Sequence, residues 1–275
     1  MIGSVMITND DGIESPGIKY LIEELNKKGF DVYVVAPKNQ VSGAGKSHSF
    51  NVKVEKCDVK YAKKSWCVDG KPADAVAIGI KYLLGDVKPD LILSGINIGP
   101  NMGLMDFFSS GTIGGALEGV LLGYKGIASS FGVLRGIKTK EQDNLLRNAA
   151  KITAEISYLL LDIFKEEEEI DLININFPPV NPLGIKVTKL SWLSNIDAKI
   201  DSSENVYQVL GWKTDNLETA YVGGDEGSDV VMVKKGYISV SPLCIKCIPE
   251  KISYSKAFAR IEGRLNKIEE ILQNN

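Results

Sequence analysis

The chain has 275 residues, 44% hydrophobic and 24% charged, which suffices for a full buried core and excludes a disordered or low-complexity chain. Its 32 basic and 35 acidic residues leave a net charge of −3 with no basic stretch, so a nucleic-acid polymer is not expected as the main partner, although a small anion remains compatible if a cation is bound beside it. No run reaches the roughly 18 apolar residues of a membrane span, and Met1 leads into the apolar run 2–7 without a basic leader, so a cytoplasmic protein with no membrane partner is expected.

Residues 4–8 (SVMIT) form a buried-strand run, and 16–28 repeats Ile18, Leu21, Ile22 and Leu25 at helical spacing. Residues 31–36 predict the second strand, 50–68 a β-hairpin inserted after it, and 72–84 a helix. Strand 90–94, helix 112–122, strand 126–130, helix 141–164 and strand 172–176 follow. This alternation predicts an α/β fold, a Rossmann-like, mostly parallel sheet with helices on both faces. From residue 183 the character changes to strands without long helices between them, at 185–190, 206–210 and 237–240, before a charged amphipathic helix at 254–272. We therefore divide the chain into a Rossmann-like core, 1–182, and a β-rich C-terminal extension, 183–275, read as an oligomerisation arm.

The cysteines are Cys57, Cys67, Cys244 and Cys247, and His48 is the single histidine, too few ligands for a structural zinc site. Cys244 and Cys247 fall where a strand would point them to opposite faces. Packed thiols are expected, with a Cys57–Cys67 hairpin disulfide as the alternative.

In an open parallel sheet ligands bind beyond the carboxyl ends of the strands. Three polar, glycine-rich loops follow such ends: Asn9-Asp10-Asp11-Gly12, the 37–49 segment with Ser42-Gly43-Ala44-Gly45, and the 95–103 segment with Asn97 and Asn101. Adjacent carboxylates such as Asp10 and Asp11 repel by about 1 kcal/mol in water and about 4 at an effective dielectric near 20, and a cation or a shared proton relieves them. Oxygen donors of this kind suit Mg2+ or Mn2+. A turn that merely enters the next helix is the alternative, although Ser15 and Pro16 already serve as cap and first residue there. Ser110-Gly111-Thr112 precedes a helix, and N–H groups at such a start bind phosphate or simply cap. His48 could act as a general acid or base, and Lys46 could contact phosphate; an exposed loop is the plainer reading of both.

At these loops the chain closely resembles the SurE survival-protein family, nucleoside 5'-monophosphate phosphatases. The matching blocks are Thr8-Asn9-Asp10-Asp11-Gly12-Ile13, Ser42-Gly43-Ala44, Gly70-Lys71-Pro72-Ala73-Asp74, Ser94-Gly95-Ile96-Asn97, Ser110-Gly111-Thr112, Asn174-Ile175-Asn176-Phe177-Pro178 and 236–243. The resemblance implies one divalent cation per subunit held by Asp10, Asp11, Ser42 and Asn97, with Asp10, Asp11 and Asn97 as the catalytic centre. It implies substrate and phosphate contacts from Asn9, Asn101, Ser110, Gly111 and Thr112, hydrolysis of 5'- and often 3'-nucleotides, and a homodimer or homotetramer. Ser109 stands where the family usually has a tyrosine, and 190–230 match weakly. The mechanism expected is attack by metal-activated water; the alternatives are Asp10 as a covalent nucleophile and a nucleotide-binding module without catalysis.

Overall fold

The computed structural model describes residues 2–133, 136–192, 217 and 224–248. Its elements are β1 (Gly3–Thr8), α1 (Pro16–Lys27), β2 (Phe30–Pro37), β3 (Lys53–Lys56), β4 (Lys64–Asp69), α2 (Pro72–Ile78), β5 (Leu91–Ile98), α3 (Gly103–Ser109), α4 (Gly111–Leu121), β6 (Gly126–Phe131), α5 (Lys140–Glu166), β7 (Leu172–Phe177), β8 (Ile185–Val187), α6 (Asp229–Lys234) and β9 (Ile238–Leu243). The helix expected over 72–84 is α2 followed by a π-helical turn, Gly79–Leu83.

One nine-stranded sheet runs in the order β3-β4-β2-β1-β5-β6-β7-β9-β8. All of its pairings are parallel except β3 with β4 and β7 with β9. A row of apolar residues in register, Val34, Ile7, Leu93, Ile127 and Ile173, crosses β2, β1, β5, β6 and β7. Strands β6 and β7 are buried along their whole length, which explains why their sequences read as near-continuous apolar or small runs instead of alternating. Successive β1 side chains serve opposite faces: Val5 and Ile7 join the core with α1 and α5, and Met6 joins a second core with α2. The α/β class with helices on both faces is as the sequence predicts.

Two expectations need correction. Cys57 pairs with Cys67 across the β3–β4 hairpin, with Cα atoms 5.8 Å apart, and Cys244 pairs with Cys247 at 5.3 Å, so among the described residues no thiol is free. Strand β9 stops at Leu243 because the Asp171 carboxylate accepts the Ile245 and Lys246 N–H groups at 2.8 and 3.1 Å. The chain turns there, and positions three apart come together. Beyond 183, β8 and β9 continue the same sheet past β7. The strand at 206–210 and the helix at 254–272 lie outside the described residues. No helix among the described residues is long and apolar enough to cross a membrane.

From β1 the chain moves to one side through β2, then returns to β5 on the other side of β1. The carboxyl ends of β1 and β5 therefore flank the point where strand order reverses, the place such sheets offer a ligand.

Candidate active site

The turn after β1 is closed by Asn9. Its Nδ2 donates to the Gly12 carbonyl at 2.8 Å and to the Ser15 hydroxyl at 2.9 Å, and the residue is fully buried. Ser15 in turn caps α1 by accepting from the Ile18 N–H, with Pro16 as the first helical residue. Neither aspartate is needed for capping. The Asp10 Oδ1 accepts a short hydrogen bond from the Thr112 hydroxyl, and the Asp11 Oδ2 accepts from the Ile98 N–H at 2.8 Å. Burial raises the Asp10 carboxyl above its ordinary value, against the Thr112 hydroxyl and the backbone N–H groups of Thr112 and Gly111. Burial first and the Asp10 charge second push Asp11 up to about 7, with the Ile98 N–H pulling the other way.

Asp10, Asp11, Ser42, Asn97, Asn101 and Ser110 all line one cleft of about 640 Å³, within the range of small-molecule sites. Ser42 is exposed, its Oγ accepting from Gln40 Nε2 at 2.9 Å. Asn97 donates its Nδ2 to the Gly99 carbonyl at 2.7 Å, which leaves its amide oxygen as the atom suited to ligate a cation. Ser110 caps α4 through the Ile113 N–H. Three residues expected at the phosphate are not among those that line the cleft. Asn9 and Thr112 are fully buried behind the aspartates, and Gly111 lies against Asp10, where a Cβ would come within 2.8 Å of the Asp10 Cβ. Their shared neighbour is Asp10 or its turn, so the start of α4 supports a carboxylate from behind as well as facing the cleft through Ser110.

The cleft wall at Asn101 depends on residues whose role the sequence conceals. The Asn101 N–H donates to Asn176 Oδ1 at 2.8 Å, and its carbonyl accepts from the Asn174 and Asn176 amides at 2.9 Å each. Its own Nδ2 donates to the Ser130 hydroxyl at 2.8 Å. Asp229, buried at the start of α6, accepts the Gly103 N–H at 2.7 Å and the Ser191 N–H at 2.9 Å, and burial raises its carboxyl. The available signal was asparagines at alternate positions of a buried strand, placed on one face by its period of two. Helix α3 between Asn101 and Ser110 was not foreseen either; Asp106 holds its start, accepting the Met102 N–H at 3.1 Å. Lys46 and His48 are absent from the lining. Lys46 Nζ stands 2.7 Å from Glu118 Oε2, and His48 Nδ1 stands 3.1 Å from Asp74 Oδ1.

The donor set fits a hard dication. The buried Asp10 and half-buried Asp11 carboxylates, their proton affinity raised by burial, line the cleft with the neutral oxygens of Ser42 and Asn97. Among the described residues no group of three or more His, Cys, Asp or Glu is placed to hold a metal ion, so a zinc-type cluster is not found there.

The family model for survival protein SurE matches residues 5–196. The 5'-nucleotidase SurE of Archaeoglobus fulgidus is 33% identical over 274 residues, covering 96% of this chain and 98% of that protein. The 5'-nucleotidase SurE of Desulforudis audaxviator is 32% identical over 247 residues, covering 88% and 91%. Among solved structures, the SurE protein from Aquifex aeolicus superposes with a TM-score of 0.71 at 33% identity, covering 94% of this chain and 99% of that one.

Proposed function

Because this chain belongs to the SurE family, we propose that it is a 5'-nucleotidase that hydrolyses nucleoside 5'-monophosphates, and 3'-monophosphates in addition, to nucleoside and phosphate. The observation that carries the proposal is the meeting of Asp10, Asp11, Ser42, Asn97, Asn101 and Ser110 in one cleft at the carboxyl edge of β1 and β5. Asp10, Asp11, Ser42 and Asn97 would hold one Mg2+ or Mn2+. When bound, that cation neutralises charge on the phosphoryl oxygens and makes water a better nucleophile. Asn101 and Ser110 bind and orient the phosphate. Thr112 and the start of α4 fix Asp10, the Ile98 N–H fixes Asp11, and Asn9 holds the turn that carries both. Asp10 as a covalent nucleophile is the less favoured reading, since it is buried with one oxygen taken by Thr112. Residues 183–275 are read as the arm that joins copies into a homodimer or homotetramer.

The test is phosphate release from 5'-AMP by wild type and Asp10→Asn, with Mg2+, Mn2+ or a chelator. Release by wild type with metal, lost in the variant and with chelator, is expected. Equal activity of the variant removes the metal site. Binding of AMP without release by either protein leaves a binding module. A phospho-aspartate trapped on quenching restores the covalent route.

A further inference from the structure

Resting on the assignment of Ser42 to the metal, we infer that Lys46 and Glu118, with His48 and Asp74 beside them, are positioning residues: they fasten the loop that carries Ser42 and so set where its hydroxyl stands. The loop between β2 and β3 has little apolar packing of its own, Phe50 being fully exposed. It is tied on one side of Ser42 by the Val41 N–H to the Asp10 carbonyl at 2.8 Å, and on the other by the Gly45 N–H to the Ser109 carbonyl at 2.9 Å. Between these ties lie Ser42, Gly43 and Ala44. Gly43 has φ 71°, and a Cβ there would meet nothing within 4 Å; the side-chain bonds to the span, Gln40 Nε2 to the Ser42 Oγ at 2.9 Å and Ser47 Oγ to the Ala44 carbonyl at 2.6 Å, come from the same loop and move with it. Its position is inherited from the ends.

The far end is held by charge. Lys46 Nζ lies 2.7 Å and His48 Nε2 3.3 Å from Glu118 Oε2 on α4, and that carboxylate is 8% exposed. His48 Nδ1 lies 3.1 Å from Asp74 Oδ1, and the Ser49 N–H donates to both Asp74 oxygens at 3.0 and 3.2 Å. Lys71 adds its Nζ to the His48 carbonyl at 3.3 Å. Two buried carboxylates, one on α2 and one on α4, thus draw partners from this loop, Asp74 accepting the Lys71 N–H at 2.9 Å in addition, and an uncompensated buried charge is strongly unfavourable. Glu118 also sits two turns along the same helix that begins at Ser110. Fastening the loop to α4 therefore fixes Ser42 relative to the phosphate side of the cleft. Lys46 so placed acts through the loop, not on substrate.

The experiment is a thermodynamic cycle on metal binding without substrate. Metal-free wild type, Ser42→Ala, Lys46→Met and the double variant are titrated with Mn2+, following the free ion by electron paramagnetic resonance, with melting temperatures taken alongside. Each single variant should bind Mn2+ about tenfold more weakly, the usual cost of losing a group that orients a ligand. The double variant should be no more than about twofold weaker than Ser42→Ala, because both changes remove one ligand. Lys46→Arg, which keeps the charge, should recover most of the affinity. Losses that multiply, or a Lys46→Met protein with a lower melting temperature and unchanged Mn2+ binding, overturn the inference. If Ser42→Ala alone binds as wild type does, the ligand assignment fails and the inference with it. Should Lys46→Met fail to fold, Glu118→Gln, which keeps the shape and an acceptor, takes its place in the cycle.

Discussion

Replacing Gly111 with alanine sets a methyl group against Asp10. The new Cβ would lie 2.8 Å from the Asp10 Cβ, 2.9 Å from its Oδ2 and 3.2 Å from its Cγ. Carbon atoms settle at about 3.5–4.0 Å from one another, so Asp10 or the helix must give by roughly 0.7 Å. Asp10 has little room, being buried and held through Oδ1 by the Thr112 hydroxyl. Alanine favours the helix by about 1 kcal/mol over glycine, while overpacking costs about 1–3 kcal/mol, so the net loss of stability is at most about 2 kcal/mol. Misplacement of about 1 Å at reacting groups costs on the order of 100-fold, about 2.7 kcal/mol of barrier. Gly119→Ala is the control on the same helix: its Cβ would come within 2.6 Å of the Ile92 Cγ1, a core side chain outside the cleft lining. Steady-state hydrolysis of 5'-AMP and melting curves on both variants decide the matter. Both should lose stability, and only Gly111→Ala should lose activity, by about 100-fold in kcat/KM. A Gly111→Ala enzyme as active as wild type, or a Gly119→Ala enzyme equally crippled, refutes the claim that α4 sets the position of Asp10.

Two further outcomes follow from the site. Asn176→Ala removes the acceptor for the Asn101 N–H and one donor to its carbonyl; an unsatisfied buried group costs about 1–3 kcal/mol, and KM for 5'-AMP should rise more than kcat falls, which initial-rate kinetics measure. For pH, the Asp11 carboxyl stands at about 7 against an ordinary 3.8, so the metal-free fold binds this proton more tightly than the unfolded chain. Its contribution is whole below the ordinary value and is lost as pH rises toward 7. With chelator present, Asp11→Asn should therefore melt near wild type at pH 4.5 and above it at pH 8; a constant difference across that range would remove the raised carboxyl.

The parallel core was legible because its evidence is local. The Val5–Ile7 run, the Ile18, Leu21, Ile22, Leu25 stripe and the Ser15–Pro16 helix entry each express their structure within a few residues. The aspartates and Asn97 were legible because strand ends converge on one edge whatever the packing details. What escaped depends on partners far along the chain. Helix α3 has seven residues, and its start is held by Asp229, 126 positions away from Gly103, as well as by the nearby Asp106. The contacts of Gly111 and Thr112 with Asp10 follow from how closely α4 approaches the turn, which composition does not encode. The Cys57–Cys67 pairing was legible as the alternative that a hairpin offers, whereas Cys244–Cys247 was missed for the same reason: a single carboxylate, Asp171, ends β9 and changes which positions face each other.

The antiparallel pairing of β9 with β7 has a mechanical consequence. Asn174 and Asn176, which grip Asn101, belong to the strand that β9 zips against, in register with Ser241 and Ser239. The described part of the chain beyond residue 183 adds nothing to the cleft lining, yet it buttresses that wall twice, through β9 behind β7 and through Asp229 beneath Gly103. A fragment ending near residue 182 would keep every candidate metal ligand and lose the masonry behind Asn101. The boundary in the sequence is thus no boundary for force, and whatever grips the C-terminal strands has a short lever to the phosphate end of the cleft.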